Sequence, residues 1–124
     1  MFTAKSNEDI ITFSFGKSVA GYLDDISVYD FSISEELMKD GNFESGTLKN
    51  YCVCVSKDST CERIQSDQYS GSYACKINSW GLVELSQGLK TIVGRSYNVS
   101  FWYKSQDGAY EDLYVFTSAQ KTVN

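Results

Sequence analysis

The sequence predicts an all-β protein, a sandwich or barrel of short strands, and three observations predict it. The chain contains no proline. Apolar side chains recur with a period of two residues in several segments, and no segment sustains the longer period of an amphipathic helix. Glycine-containing turn pairs separate these segments at short intervals, which is typical of all-β domains.

The first two predicted strands each have one apolar face. Residues 11–15 alternate apolar and polar side chains, and residues 23–29 place Ile26 and Val28 on one side. By the same alternation Asp24 is expected on the face of Ile26 and Val28, where a carboxylate needs a partner. The sequence therefore predicts a buried, engaged acid in the second strand.

Four later segments alternate in the same way: residues 73–78, 82–89, 96–104 and 113–117. In residues 96–104, Tyr97, Val99, Phe101 and Tyr103 share one face, so Trp102 is the outward aromatic residue. In residues 113–117 both faces carry bulky side chains. The pattern leaves the inward set of this last strand ambiguous.

Length, composition and net charge exclude several classes of protein. A chain of 124 residues is long enough for one domain, and its 42% hydrophobic and 15% aromatic content is too high for a disordered chain. No apolar run approaches the ~20 residues that span a bilayer. The net charge of −5 disfavours binding to a phosphate backbone. We therefore expect neither nucleic acid nor membrane insertion.

The cysteines predict an oxidising compartment. Four of them lie close together and their number is even, which favours two disulfides: Cys52, Cys54, Cys61 and Cys75. If residues 51–55 and 61–64 form a hairpin, Cys54 faces Cys61 and Cys52 is left to reach Cys75. A zinc site fits less well, because the paired C-x₂-C knuckles of such sites are missing. Asn98 begins an Asn-Val-Ser glycosylation sequon, which agrees with a secreted, extracellular protein.

Five segments carry a resemblance to a known family. They are GNFESG (41–46), YSGSYACKI (69–77), LSQGL (85–89), GRSYNVSFWYKS (94–105) and LDDISV (23–28). Together they resemble the jelly-roll carbohydrate-binding modules of the family-four, nine and twenty-two type, within the galactose-binding-like fold. The resemblance implies a jelly-roll β-sandwich of two antiparallel sheets. Two features depart from the family: Tyr51 stands where a tryptophan is usual, and the closing element comes first.

The order of these segments predicts a permuted or strand-swapped domain. Residues 1–30 correspond to the closing strands of a jelly roll, residues 31–35 to a linker, and residues 36–124 to the remainder. The closing strands then complete either their own chain or another copy. The second possibility makes a dimer, a filament or a tandem array.

The resemblance also implies a structural calcium ion. In the family, the acid of the opening strand and one of the closing pair commonly hold it, and these are Glu44 with Asp24 or Asp25 here. Calcium prefers six to eight oxygen ligands, which carboxylates and carbonyls supply. The alternative is that these carboxylates lie at a solvated rim or accept backbone N–H bonds.

No pattern in the chain predicts catalysis. Histidine is absent, as are the nucleophile elbow and the phosphate and dinucleotide loops. Glu84, Glu111 and Asp112 are the only acids near aromatic residues, and solvated charges explain them better than a glycosidase pair. We expect a non-catalytic extracellular structural or adhesive module that assembles with copies of itself by strand complementation or tandem repetition.

The alternative function is a carbohydrate-binding module that uses outward aromatic residues. Flat aromatic rings cover the apolar faces of sugars, and polar groups bind the rim. The candidate residues for this platform are Trp102, Trp80, Tyr110, Tyr114, Glu84 and Asn98. Against it, isolated tryptophans commonly pack under loops, and a glycan on Asn98 would obstruct the face.

Overall fold

The computed structural model describes residues 1–16, 19–45, 47–65, 71–106 and 113–119. In these ranges the chain forms strands and turns and no helix, so the all-β prediction is confirmed. The strands are β1 (Phe2–Thr3), β2 (Glu8–Phe15), β3 (Val19–Asp30), β4 (Glu35–Glu36), β5 (Cys52–Val55), β6 (Thr60–Ile64), β7 (Ala74–Ser79), β8 (Val83–Lys90), β9 (Ser96–Ser105) and β10 (Leu113–Ala119). Over the same ranges, no helix of membrane-spanning length and hydrophobicity is present.

The strands form two antiparallel sheets that pack as a sandwich, as predicted. The six-stranded sheet has the order β1-β9-β3-β7-β6, and β4 pairs with the end of β3. The four-stranded sheet has the order β10-β2-β8-β5. Strands β2 and β3 are internal in their sheets, so residues 1–30 complete the sandwich of their own chain in this structure.

The core lies between the sheets and follows the predicted alternation. In β9, Tyr97 is buried, Phe101 packs edge-on against Phe13 with ring centroids 5.3 Å apart, and Tyr103 lies 6.0 Å from Phe15. In β8, the alternation predicted one buried face, and its residues are Val83, Leu85, Gln87 and Leu89. Period-two patterning therefore assigned the core face of these strands correctly.

Asp24 is fully buried, as predicted, but a β-bulge in β3 makes the prediction of its face wrong. Leu23 pairs with Tyr103 and Val28 with Val99, but one extra residue on β3 shifts the register between Asp24 and Ser27. Asp25 takes the extra position with φ at 55°. Because a bulge interrupts alternation, Asp24 pairs with Trp102 and does not share the face of Val28.

The predicted hairpin between residues 51–55 and 61–64 is wrong. Strand β5 pairs with β8 in the four-stranded sheet, whereas β6 pairs with β7 in the six-stranded sheet. The connection at residues 56–59 crosses from one sheet to the other. Pairing with β8 aligns Val53 and Val55 with the buried Leu85 and Val83, which extends the apolar face to the sheet edge. Cys54 therefore does not face Cys61.

Candidate functional site

One long side of the sandwich, beside β5 and β6, is closed by residues 40–45 and 47–51. Phe43 is fully buried and stacks on Tyr51 with ring centroids 5.4 Å apart. The Tyr51 hydroxyl donates to the carbonyl oxygen of Asp40 at 2.9 Å. Burial raises the pKa of Tyr51, with the charge of Asp40 a smaller cause. We call this region the closed side.

Two charged side chains hold the closed side in place. The Glu44 carboxylate accepts from the backbone N–H groups of Ser72 at 2.8 Å and Tyr73 at 2.7 Å. Arg63 donates from Nε to the carbonyl oxygen of Phe43 at 2.6 Å and lies 3.4 Å from the centroid of the Tyr73 ring. These contacts clasp the closed side, at Phe43 and Glu44, to β6 and to the residues just before β7.

Two of the predicted calcium ligands, Glu44 and Asp24, accept hydrogen bonds from backbone N–H groups. Both oxygens of Glu44 accept N–H bonds, and the fully buried Asp24 accepts from the N–H of Asp25 at 2.7 Å. Among the described residues, no three acidic or cysteine side chains are grouped closely enough to hold a metal ion. For Glu44 this arrangement matches the alternative prediction, in which the carboxylate accepts backbone N–H bonds instead of binding calcium. Calcium at Glu44, Asp24 and Asp25 stays a prediction.

The predicted sugar-binding residues lie on two different sheets. Trp102 and Asn98 are in β9 of the six-stranded sheet, on its outer face by alternation from the buried Tyr97. Glu84 and Tyr114 are in the four-stranded sheet. Trp80 lies in the turn before β8 and is 61% exposed, and Tyr110 lies outside the described residues. The structure therefore does not bring all six together.

The outer face of the four-stranded sheet carries two aligned rows of side chains. One row, at the β8 end that follows Trp80, runs across four strands: Tyr114, Ser14, Glu84 and Cys54. The next row is Phe116, Thr12, Ser86 and Cys52. Their strand neighbours on the opposite face, such as Phe13 and Leu85, are buried, so both rows face outward. We call this surface the aromatic face.

The aromatic face has the chemistry of a ligand platform. Tyr114 is 61% and Phe116 45% exposed, and the two rings lie on one face of an edge strand. Within the described part of the chain, the Glu84 side chain makes no hydrogen bond or ion pair, so its oxygens are available to a ligand. Sequence reasoning named Tyr114 and Glu84 but missed Phe116, because the last strand has bulk on both faces.

A second feature is the open side, the groove between β9 and β10. On the side of β9 that faces away from β3, Ser96 and Tyr97 pair with β1. Strand β10 is the edge of its own sheet. The groove has a volume of about 390 Å³ and its lining is uncharged: Met1, Phe2, Ile11, Val99, Phe101, Val115, Phe116 and Thr117. Phe116 therefore borders both the groove and the aromatic face, whereas Tyr114 belongs to the aromatic face alone.

Comparison with known proteins gives no relative. The chain matches no family model, no curated protein and no solved structure. The functional argument therefore rests on the residues and their geometry.

Proposed function

We propose that this protein is a non-catalytic carbohydrate-binding module whose sugar site is the aromatic face. The observation that carries the proposal is the pair of exposed rings, Tyr114 and Phe116, on the same face as the unengaged carboxylate of Glu84, with Tyr114 in register with Glu84. Sugars have apolar C–H faces and a polar rim of hydroxyls. Aromatic rings stack on the apolar C–H faces, and carboxylate and hydroxyl groups bind the sugar hydroxyls.

The spacing on the aromatic face favours an oligosaccharide. Tyr114 and Phe116 are two residues apart along β10, which is ~7 Å in a strand. Strand β2 separates β10 from β8, so Glu84 lies two strand spacings, ~10 Å, from Tyr114. A ligand that contacts both rings and the carboxylate at once is larger than one sugar ring. Ser14 supplies a hydroxyl between Tyr114 and Glu84, and Ser86 supplies another beside Glu84 on β8.

Two further observations support the proposal. The resemblance of five segments to carbohydrate-binding modules implies this class of ligand. The sequon residue Asn98 lies on the six-stranded sheet, so a glycan attached there would leave the aromatic face unobstructed. The sequon and the cysteines favour a secreted location for this activity.

The test is binding to an array of immobilised oligosaccharides, followed by calorimetric titration of the best ligand. Tyr114→Ala is expected to weaken affinity by about tenfold or more, equivalent to ~1.4 kcal/mol, because a stacking ring is lost. Trp102→Ala is the matched control on the other sheet and is expected to leave affinity unchanged. Loss of binding in Trp102→Ala with full binding in Tyr114→Ala would contradict the proposed site.

A second candidate function is an extracellular structural or adhesive role through strand complementation. The observation that favours it is the open side, where an apolar groove lies beside β10, the edge strand of its sheet. Strand β10 carries no charge and no proline along its seven residues, and such edges pair readily with another strand. A strand from a second copy or from a neighbouring repeat would fill the groove.

Adjacent residues of β10 separate the two candidates. Val115 lines the groove, whereas Tyr114 lies on the opposite face of the same strand. Light scattering over a wide concentration range measures association, and Val115→Lys is expected to abolish any association while sugar binding persists. Tyr114→Ala is expected to do the reverse. A stable 13.9 kDa species at all concentrations would exclude the assembly function.

A further inference from the structure

The four cysteines divide into two unlike pairs. The Sγ atoms of Cys61 in β6 and Cys75 in β7 are 3.0 Å apart. Cys75 is fully buried and Cys61 partly buried. Cys52 and Cys54 are both exposed on β5, the edge strand of the other sheet.

We infer that Cys61 and Cys75 form a disulfide in an oxidising environment and that Cys52 and Cys54 take no part in it. The register pairs Cys61 with Ile77 and Arg63 with Cys75, so the two cysteines lie diagonally on one face of neighbouring strands. Their sulfurs are about 1 Å beyond the ~2.05 Å of an S–S bond, a distance that side-chain rotation covers.

The other pairings are excluded by position. Cys52 and Cys54 align with Ser86 and Glu84 on the outer face of the four-stranded sheet, whereas Cys61 belongs to the six-stranded sheet. A bond between Cys52 and Cys54 is also disfavoured. Residues two apart in a strand have Cα atoms ~6.6 Å apart and nearly parallel Cβ directions, whereas a disulfide needs Cβ atoms ~3.5–4.5 Å apart.

The chemistry needs an oxidant, and a small-molecule disulfide such as oxidised glutathione supplies it. The Cys61 thiolate attacks that disulfide, and one glutathione thiolate leaves. The Cys75 thiolate then attacks the Cys61 sulfur, and the second glutathione thiolate leaves. Two protein thiols lose two protons and two electrons, and one glutathione disulfide becomes two thiols. Cys61 reacts first, because it is partly exposed whereas Cys75 is fully buried.

The local environment supports this order of reaction. The contact with Cys61 and then burial raise the pKa of the Cys75 thiol, so Cys75 is a poor nucleophile toward reagents in solution. Once Cys61 carries a mixed disulfide, its sulfur is the one that Cys75 can reach. The bond ties the edge strand β6 to β7 around Arg63, which donates to Phe43 on the closed side. The disulfide therefore reinforces the closed side, independently of the proposed sugar site.

Tryptic mapping of the full chain tests the pairing directly. Cleavage after Lys57, Arg63 and Lys76 puts Cys61 in residues 58–63, Cys75 in residues 64–76, and Cys52 with Cys54 in residues 50–57. After treatment with oxidised glutathione and alkylation, the expected crosslink joins 58–63 to 64–76. A crosslink from 50–57 to either peptide, or alkylation at both Cys61 and Cys75, would overturn the inference.

Variants test the order and the consequence. In a Cys52→Ser, Cys54→Ser background, adding Cys75→Ser is expected to trap one glutathione on Cys61, whereas adding Cys61→Ser leaves Cys75 unmodified. The background protein is expected to melt at a lower temperature when reductant is added, because a cross-link that constrains the unfolded chain is lost. A glutathione adduct on Cys75 in the folded Cys61→Ser variant, or a melting temperature that reductant does not change, would contradict the account.

Discussion

The closed side and the aromatic face use the same kinds of side chain in opposite ways. On the closed side, Phe43 is fully buried and both oxygens of Glu44 accept backbone N–H bonds. On the aromatic face, Phe116 is 45% exposed and the Glu84 side chain has no hydrogen bond or ion pair within the described residues. An acid beside an aromatic ring therefore indicates a ligand site only where the ring is exposed and the carboxylate has no hydrogen-bond partner within the fold.

Removing one phenylalanine from each region gives the largest expected contrast. Phe43→Ala is expected to lower the free energy of unfolding by ~3–5 kcal/mol, because it removes a fully buried ring that stacks on Tyr51. Phe116→Ala is expected to cost less than ~1 kcal/mol, because the ring is largely exposed. Urea titration followed by circular dichroism measures both. Equal losses of unfolding free energy in the two variants would contradict the difference drawn between the closed side and the aromatic face.

Neutralising one carboxylate in each region gives the next contrast. Glu44→Gln is expected to cost ~1–2 kcal/mol, because the new amide can accept only one of the two backbone bonds. Glu84→Gln is expected to change stability by no more than ~0.5 kcal/mol. Thermal melting with added calcium and with chelator measures both. A chelator that lowers the melting temperature of the unchanged protein but not that of Glu44→Gln would show that Glu44 binds calcium. The backbone hydrogen bonds to Ser72 and Tyr73 would then not be its main role.

A smaller, pH-dependent effect is expected at Asp30, a buried acid away from both regions. Asp30 accepts from the Ser32 hydroxyl at 2.6 Å and from Arg95 at 3.0 Å. The Ser32 hydrogen bond, and then Arg95, hold the pKa of Asp30 below 3.8. Because the folded pKa is lowered, the stabilisation is complete at neutral pH and is lost as the pH falls through the folded pKa.

The corresponding experiment compares the melting temperatures of Asp30→Asn and the unchanged protein across the acid range. The difference is expected to be constant near neutral pH and to narrow progressively as the pH falls through the acid range to the lowered folded pKa. Asp58→Asn, at an exposed turn position, serves as the control and is expected to track the unchanged protein throughout. A difference at Asp30 that does not change with pH would show that its role is steric and not ionic.

The sequence predicts the strands and the core but not the partner of each strand. Alternation is local, so it assigned Tyr97 inward and Trp102 outward correctly. Pairing is long-range: residues 51–55 and 61–64 are neighbours in the chain but belong to different sheets. The bulge at Asp25 has no local signal that separates it from a regular strand. It changed the face of Asp24 without changing its burial.

The same limit applies to the site. Residue type and alternation selected Tyr114 and Glu84, which the register brings into one row. They also selected Trp102 and Asn98, which lie on the other sheet, because composition carries no information on which strands share a surface. Phe116 becomes a candidate only once the pairing of β10 with β2 shows which of its faces is outward.

The most direct test of the account is amide chemical-shift mapping of the isotope-labelled protein during titration with the best-binding oligosaccharide. The account predicts that the shifts concentrate in β2, β8 and β10 around Ser14, Glu84 and Tyr114. Shifts that concentrate in β9 around Asn98 and Trp102, or along the groove at Phe101 and Val115, would contradict the assignment of the sugar site to the aromatic face.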